Sequence, residues 1–395
     1  MRLKGTWFMH DMILVGGGLA NGLIAWRLRL LQPALRILLV EKEAKLGGNH
    51  TWSFYQRDLT PAQHAWISPL IVRQWPAYEV RFPGHRRILD TPCFSIDSAR
   101  FHDVLTQALN SAVVLNASVT DVTRCSVRID GELFKAQVVM DGRGHAPSKH
   151  MRYAYQKFVG QEVVLRQPHG QALPIIMDAT VAQHDGYRFV YTLPFDEKRI
   201  LVEDTYYSTT PDLDLAAIRN NISAYIESRG WQAASVAREE KGVLPISLSG
   251  DIKRFWQDKQ GALPCSGMRA GLFHATTGYS FLYAVRLADE LAALKTLEAE
   301  SVYRHVRAFS VRQWRSQVFM RLLNRMLFFA SAPTQRYRLL QRFYKLPQQL
   351  IERFYAAQPT LFDKLRILSG KPPVPVLKAV KALCKTGKET SSKPS

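Results

Sequence analysis

The amino-acid sequence predicts an α/β protein with a Rossmann-like βαβ opening, an inserted antiparallel sheet and a C-terminal helical region. The apolar run at 12–15, a glycine-rich turn and a helical pattern lead to a second apolar run at 36–41, which is the order strand, helix, strand. Apolar and polar residues alternate in several segments between 151 and 260, as in antiparallel strands with one buried face. The last two of these segments, YRFVYTL and RILVEDTYY, are joined by PFDEKR and predict a hairpin whose second strand is the last of the sheet. A helix is predicted to begin at Asp97 or Ser98. Beyond residue 300 the apolar residues recur every three or four positions, as in helices.

The composition is that of a folded protein with two or three domains. The chain has 395 residues, of which 47% are hydrophobic and 22% are charged. Glycines interrupt the uncharged N-terminal run, which favours a turn over a signal peptide, and no apolar run is long enough to predict a transmembrane helix. The four cysteines have neither disulfide-scaffold nor metal-site spacing, so we expect free thiols and no metal site: Cys93, Cys125, Cys265 and Cys384.

The positive charge of the chain is concentrated at its C-terminal end. Residues 301 to 395 carry 19 Lys and Arg against three Asp and Glu, whereas the whole chain has a net charge of +20. A basic region of this kind is typical of proteins that bind nucleic acid or an anionic membrane. We expect no nucleic-acid partner, because no nucleic-acid module is recognisable and apolar helical stripes run between the basic residues. A basic binding protein without enzyme activity is the alternative.

The stretch GGGLANG predicts a dinucleotide-binding turn. Gly16 permits the tight turn, and Gly18 lets the backbone approach a pyrophosphate at a helix N-terminus. Asn21 stands where the third glycine of the G-x-G-x-x-G pattern is expected, so an ordinary glycine turn stays open as an alternative. Glu41 ends the second predicted strand, where an acid accepts hydrogen bonds from a ribose, and the pair Gly47–Gly48 follows shortly after it.

The stretch RILVEDTYY, at 199–207, predicts a β-strand with two adjacent carboxylates. Because neighbouring side chains on a strand point to opposite faces, Glu203 and Asp204 cannot share a face. A carboxyl group among apolar and aromatic side chains has a raised pKa and can stay protonated near neutral pH, which makes it a candidate acid. A structural ion pair or an edge-strand charge is the alternative. Asp178, in IIMDATV, is a second candidate carboxylate for which a structural role is equally open.

The N-terminal motifs resemble the FAD-binding signature of flavoproteins of the glutathione-reductase and hydroxybenzoate-hydroxylase type. In those proteins a late strand–glycine–helix segment brings a second helix N-terminus to the flavin, and AGLFHATTGYSFLYAV stands at that place in this chain. A helix N-cap at Thr276 or Thr277 is the alternative for this segment. The resemblance implies that FAD lies against residues of four segments: Gly16, Gly18, Glu41, Gly47, Gly48, Asp141, Gly144, Gly271, Thr277 and Gly278.

Nine collinear stretches between residues 11 and 380 resemble the bacterial lycopene β-cyclase family. They are ILVGGGLANGLIA, GGNHTWSF, DGRG, QKFVGQEV, PIIMDATV, DGYRFVYTLP, LVEDTYY, AGLFHATTGYS and RILSGKPPVPV. The family usually has the stretch His-Pro-Thr-Thr-Gly-Tyr-Ser-Leu-Pro at residues 274–282. This chain differs from it at three places, with Ala275 and Leu282 instead of the two prolines and Phe281 instead of the leucine. These three differences affect the expected rigidity of the loop at 274–282 and the expected rim of the pocket, but not the expected flavin site.

The resemblance implies an isomerase that acts as an intramolecular lyase. Each ψ end of lycopene is protonated, closes and loses a proton to become a β-ionone ring, which gives γ-carotene and then β-carotene. The family's acid–base residue maps to Glu203, with Asp204 as a structural or relay group. The implied cofactor is reduced FAD, with NAD(P)H as its expected reductant, and the implied substrates are lycopene and related acyclic carotenoids. A FAD-dependent monooxygenase or reductase that acts on a polyisoprenoid is the alternative function.

The predicted organisation has four parts. They are a FAD-binding domain at 9–60, 95–150 and 262–300, a substrate domain at 61–94 and 151–261, a basic helical region at 301–385, and a disordered tail at 386–395. Apolar rows bordered by Arg in the helical region, such as Val302, Val306 and Phe309, predict peripheral docking on an anionic membrane. We therefore expect a cytoplasmic protein attached to the inner face of the cell membrane. Packing of these rows on the FAD-binding domain is the alternative.

Overall fold

The structure is a computed structural model that describes residues 10–184 and 186–369. The predicted tail at 386–395 and the end of the predicted helical region lie outside the described residues. The strands are β1 His10–Val15, β2 Ile37–Val40, β3 Thr51–Tyr55, β4 Arg73–Trp75, β5 Tyr78–Phe82, β6 His85–Leu89, β7 Cys93–Asp97, β8 Val113–Val114, β9 Val119–Thr120, β10 Ser126–Ile129, β11 Glu132–Asp141, β12 Met151–Leu165, β13 Ile175–Asp178, β14 Tyr187–Pro194, β15 Arg199–Ser208 and β16 Ala233–Gly250. The helices are α1 Leu19–Leu31, α2 Pro61–Ile67, α3 Ser98–Leu109, α4 Leu215–Ser228, α5 Ile252–Gln257, α6 Phe281–Ala292, α7 Ala299–Ser316, α8 Val318–Phe329, α9 Tyr337–Phe343, α10 Gln348–Tyr355 and α11 Leu361–Leu368.

The first sheet has the predicted Rossmann-like opening. Its strand order is β8-β2-β1-β11-β10-β9, and β1 pairs in parallel with both β2 and β11. The four apolar residues at 12–15 in β1 and all four residues of β2 are buried, which suits a parallel sheet covered on both faces. The predicted strand–helix–strand unit is therefore confirmed.

Helix α1 packs closely against α3 because Gly22 has no side chain. A Cβ atom at Gly22 would lie 2.4 Å from Phe101 Cζ and 2.6 Å from Leu105 Cδ2, so a larger residue would push the helices apart. Helix α3 begins where the sequence predicts, since the Asp97 carboxylate accepts a hydrogen bond of 2.7 Å from the N–H of Arg100. This packing fixes α1, whose N-terminus faces the glycine turn.

The second sheet is antiparallel for most of its width and has the order β16-β12-β15-β14-β13-β5-β6. The predicted hairpin of β14 and β15 is confirmed. The expectation that β15 is the last strand of this sheet is wrong, because the 18-residue strand β16 follows it in the chain and pairs with β12 along nearly the whole of that strand. A third sheet, of order β3-β7-β4, uses short strands from residues 51–97. The exact domain boundaries stay a prediction.

The alternation along β15 sends its two carboxylates to opposite faces. Ile200 and Val202 pack with α4 on one face, and Asp204 lies on that face with no exposed surface. Its carboxylate accepts hydrogen bonds of 2.8 Å from Arg188 Nε and from the hydroxyl of Tyr206. Burial raises the pKa of Asp204, whereas Arg188 opposes that rise. Asp204 is thus part of a buried ion pair that joins β15 to β14.

The C-terminal helices complete the core of the protein. Val302, Val306 and Phe309 belong to the same buried cluster as β1 and α1, and each is at most 2% exposed. The prediction that this row docks on a membrane is wrong, because the row packs on the first domain instead. The exposed apolar side chains of the region lie mainly on α11: Leu361, Phe362, Leu365 and Leu368.

We predict that Arg188→Met lowers the free energy of unfolding by about 3–5 kcal/mol, because it leaves the Asp204 carboxyl buried without its counter-charge. Urea unfolding followed by circular dichroism measures this loss. Arg219→Met is the control, since it removes the exposed ion pair between Arg219 and Glu239 and should change the stability little. Equal losses in the two variants would contradict the prediction.

Candidate active site

A cavity of about 630 Å³ lies between the glycine turns of the first sheet and one face of the second sheet. From the second sheet it is lined by Gln156, Phe158, Tyr191, Glu203 and Leu244. Eight of the predicted site residues also line it: Gly16, Gly18, Glu41, Gly47, Gly48, Gly144, Gly278 and Glu203. The structure therefore brings together the glycine turns and the candidate acid, which are up to 187 residues apart in the chain.

The first glycine turn leaves open space at the N-terminus of α1. Gly16 has a φ of +93°, a conformation that only glycine adopts readily, and its N–H donates a 2.8 Å hydrogen bond to Val40 O. Gly18 is the N-cap of α1, and no side chain caps this helix end. In the part of the chain that the structure describes, no atom lies within 4 Å of the place where a Cβ of Gly18 would stand. The helix end therefore offers free backbone N–H groups and a positive dipole end to an anion.

Glu41 holds two backbone segments at the edge of the cavity. One carboxylate oxygen accepts a 2.6 Å hydrogen bond from Gly17 N–H, and the other accepts a 3.0 Å bond from Glu43 N–H. Gly47 N–H donates 2.9 Å to Gly17 O, so the second glycine pair is tied to the first turn. The acid thus shapes the turn and also keeps acceptor capacity beside the cavity.

Asn21 is a site residue that the motif comparison left without a role. Its amide nitrogen donates hydrogen bonds of 2.9 Å to Val15 O and Gly16 O, and its oxygen accepts a 2.6 Å bond from the Ser266 hydroxyl. Asn21 therefore joins the end of β1 to the segment after β16. The sequence could have indicated this role, because an Asn in place of the third glycine lies next to the turn. Its side-chain amide can therefore donate hydrogen bonds to the backbone carbonyl groups of that turn.

The loop before α6 is held in place by the C-terminal helices. Gln317 accepts a 2.6 Å bond from Ala275 N–H and donates 3.1 Å to Phe273 O, while Asn324 donates 2.8 Å to Ala275 O. A proline at position 275 would have no N–H to donate, so the hydrogen bond to Gln317 replaces the rigidity that a proline provides. The helix begins at Phe281 with Ser280 as its N-cap, so the alternative of a helix N-cap at Thr276 or Thr277 is wrong.

The Glu203 carboxyl is buried at the wall of the cavity. The residue is 7% exposed, and the Thr205 hydroxyl donates a 2.8 Å hydrogen bond to it. Burial and the nearby Glu240 carboxylate raise the pKa of Glu203 to about 8, although Thr205 and Arg238 oppose the rise. The group is therefore mostly protonated at neutral pH and can act as an acid.

Aromatic rings stand close to Glu203 in the same cavity. Tyr191 and Tyr279 line it, and the Tyr191 hydroxyl lies 2.6 Å from the Ser53 hydroxyl. Burial keeps the pKa of the Tyr191 phenol well above the ordinary value. Tyr279 is 42% exposed, and an ordinary phenol pKa of about 10 is enough to keep its ring neutral at neutral pH. A neutral ring face stabilises a nearby cation, by about 2 kcal/mol or more when the site is dry.

Five predicted site residues do not line the cavity. Asp178 is buried under α4 and accepts a 3.0 Å hydrogen bond from the Tyr225 hydroxyl. The Asp141 carboxylate is held by Arg143 at 2.9 Å and Arg269 at 3.2 Å, which keep its pKa low although burial opposes them. The other three are Asp204, Gly271 and Thr277. Asp178 and Asp204 therefore stand where they cannot touch a molecule in the cavity, and we interpret both as structural residues.

Solved structures with the same fold support the predicted fold class. The chain superposes on a geranylgeranyl bacteriochlorophyll reductase-like protein from Thermoplasma acidophilum with a TM-score of 0.60 and 14% identity, covering 95% of this chain and 98% of that one. A flavin-dependent brominase matches with a TM-score of 0.57 and 12% identity, covering 89% and 94%. These likenesses confirm the Rossmann-like α/β fold with its antiparallel sheet and C-terminal helices.

Relatives of much higher identity match over nearly the whole chain. A lycopene beta-cyclase from Pseudescherichia vulneris is 54% identical over 95% of this chain and 97% of its own length. Another lycopene beta-cyclase, from Pantoea ananas, is 51% identical over 95% and 98%. The family model described as "Lycopene cyclase protein" matches residues 11–381. The chain therefore belongs to the lycopene cyclase family.

Proposed function

We propose that the chain is a lycopene β-cyclase, which closes the ψ ends of lycopene to β-ionone rings by acid catalysis without net oxidation or reduction. The observation that carries this proposal is the buried carboxyl of Glu203, whose pKa is raised by burial, at the wall of a cavity that the glycine turns also line. Relatives named lycopene beta-cyclase at 45–54% identity support it independently.

The side chains around the cavity suit the proton transfers of this reaction. Glu203 donates its proton to the terminal double bond, which leaves a tertiary cation on the substrate. The next double bond attacks that cation, and loss of a proton from the ring completes the product, so that one proton enters and one leaves. Tyr191 and Tyr279 present neutral rings to the cation. The donor must carry its proton, so the rate of cyclisation should fall as the pH rises through about 8.

The residues present fit FAD as the cofactor. Three features suit a pyrophosphate, which are the open space beside Gly18, the uncapped N-terminus of α1, and the φ of +70° at Gly144. Glu41 suits a ribose. When bound, reduced FAD supplies electron density and, as an anion, a negative charge beside the reacting carbons. We expect NAD(P)H or a similar reductant to keep it reduced without being consumed for each ring.

We also propose that the protein takes its hydrocarbon substrate from a membrane surface through α11. Three of its apolar side chains, Leu361, Phe362 and Leu365, are 60–74% exposed, while Ile367 packs on the protein. Arg366 is exposed on the same helix, as expected for a helix that lies among anionic headgroups. Within residues 10–184 and 186–369, no helix has the length and apolar character needed to cross a bilayer. Attachment through α11 would therefore be peripheral.

We predict that Glu203→Gln lowers the rate of β-ring formation by about 10²- to 10⁴-fold, because the amide has no acidic proton to donate. Anaerobic incubation with lycopene, reductant and FAD in liposomes measures the products. FAD content should be unchanged. Asp204→Asn is the control, since its side chain lies on the far face of β15, and it should lose less activity per folded, FAD-bound molecule. Near-full activity in the Glu203 variant would exclude Glu203 as the acid.

We predict that Gly18→Val abolishes FAD binding without unfolding the protein. The new side chain would enter the space beside the N-terminus of α1, and it meets no protein atom within 4 Å at its Cβ. The flavin absorbance of the purified variant, together with its thermal unfolding, tests this. A variant that retains its full flavin content would show that the dinucleotide lies elsewhere.

We predict that replacing Phe362 and Leu365 by Ser weakens flotation with anionic liposomes, because the exposed apolar face of α11 is lost. Ile88→Ser with Leu133→Ser is the matched control, since these side chains are 51% and 54% exposed but lie far from α11 in the chain. The wild-type protein should float, and less so at high salt. Equal flotation of the α11 variant and the wild type would contradict a docking role for this helix.

A further inference from the structure

We propose that Glu240 is a positioning residue that keeps the proton on Glu203 by acting across the glycine at position 160. This inference rests on the proposed role of Glu203 as the acid. It concerns a carboxylate on β16 that does not line the cavity and to which the reaction assigns no direct contact with the substrate.

The register of three strands brings the two carboxyl groups together. Strand β12 lies between β15 and β16, and Gly160 on β12 is paired with Glu203 on one side and with Glu240 on the other. A Cβ atom on Gly160 would stand 3.3 Å from Glu203 Cβ and 3.3 Å from Glu240 Cγ. Any larger residue at this position would put a side chain between them, so Gly160 leaves the space between the two glutamate side chains free of a third side chain.

The surroundings decide which of the two groups carries the charge. Glu240 is 3% exposed, and Arg238 donates a 3.2 Å hydrogen bond to it from one guanidinium nitrogen and a 2.6 Å bond to the Thr51 hydroxyl from another. Among residues 10–184 and 186–369, the neutral Thr205 hydroxyl is the hydrogen-bond donor to the Glu203 carboxyl. Burial raises the pKa of Glu240 too, but Arg238 opposes that rise. The negative charge is therefore better stabilised on Glu240 and the proton on Glu203.

The other groups that face Glu203 do not change this assignment. Tyr191 of β14 and Tyr279 of the loop before α6 are neutral. Asp204, its neighbour on β15, adds a negative charge from the opposite face, and Arg238 adds a positive one. The negative charge on Glu240 disfavours a second negative charge on Glu203, so the two buried carboxyl groups titrate as an interacting pair.

The test is Glu240→Gln in the full-length, FAD-bound protein. Removing the Glu240 charge should lower the pH at which cyclisation falls to half its maximum by about one unit or more, a tenfold change in proton concentration. Glu239→Gln is the matched control, because this neighbour on β16 pairs with Arg219 at 2.6 Å and should leave the pH profile unchanged. A midpoint that is unchanged in Glu240→Gln, or that rises, would overturn the proposal.

A second readout separates this inference from the proposed reaction. Infrared titration without substrate follows the protonated-carboxyl band of Glu203, which is assigned by its absence in Glu203→Gln. The titration midpoint of this band should fall in Glu240→Gln whether or not the protein cyclises lycopene. If Glu240→Gln does not fold, Gly160→Ala tests the same contact, since its Cβ would force the two side chains apart and should also lower the midpoint. An unmoved band in the folded variant would overturn the proposal.

Discussion

The site depends on one constraint, which is that successive side chains of a β-strand point to opposite faces. This alternation gives the adjacent carboxyl groups of β15 two different environments. Asp204 meets Arg188 within the packed layer under α4, whereas Glu203 lines the cavity and accepts its hydrogen bond from the neutral Thr205 hydroxyl. A shift of one residue in the register would exchange the two and place the ion pair in the cavity.

The cavity itself depends on packing between parts of the chain that are far apart. The glycine turn is fixed by the close contact of α1 with α3 and by Asn21, which ties β1 to the segment after β16. The opposite wall is fixed by Gln317 and Asn324, which hold the loop before α6. The C-terminal helices therefore support the site structurally, and the membrane contact that we propose involves only the exposed face of α11.

The sequence predicted the local features well and the long-range ones poorly. The βαβ opening, the β14–β15 hairpin and the opposed faces of Glu203 and Asp204 follow from periodicity and turn chemistry over short distances. The apolar row of Val302 and Val306 has the same period whether it meets a core or a membrane, so its burial could not be predicted from the pattern alone. Strand β16 was missed for a related reason, since its charged stretch is paired by partners such as Arg219 that only the fold brings near.

The central claim is that Glu203 carries a proton at neutral pH inside a site that also binds a flavin. Infrared difference titration of the wild-type protein against Glu203→Gln, both loaded with FAD, measures the protonation of this carboxyl directly. We expect a protonated-carboxyl band at neutral pH that disappears with a midpoint near pH 8, in line with the raised pKa of about 8. A carboxylate that is already fully ionised at neutral pH would contradict it.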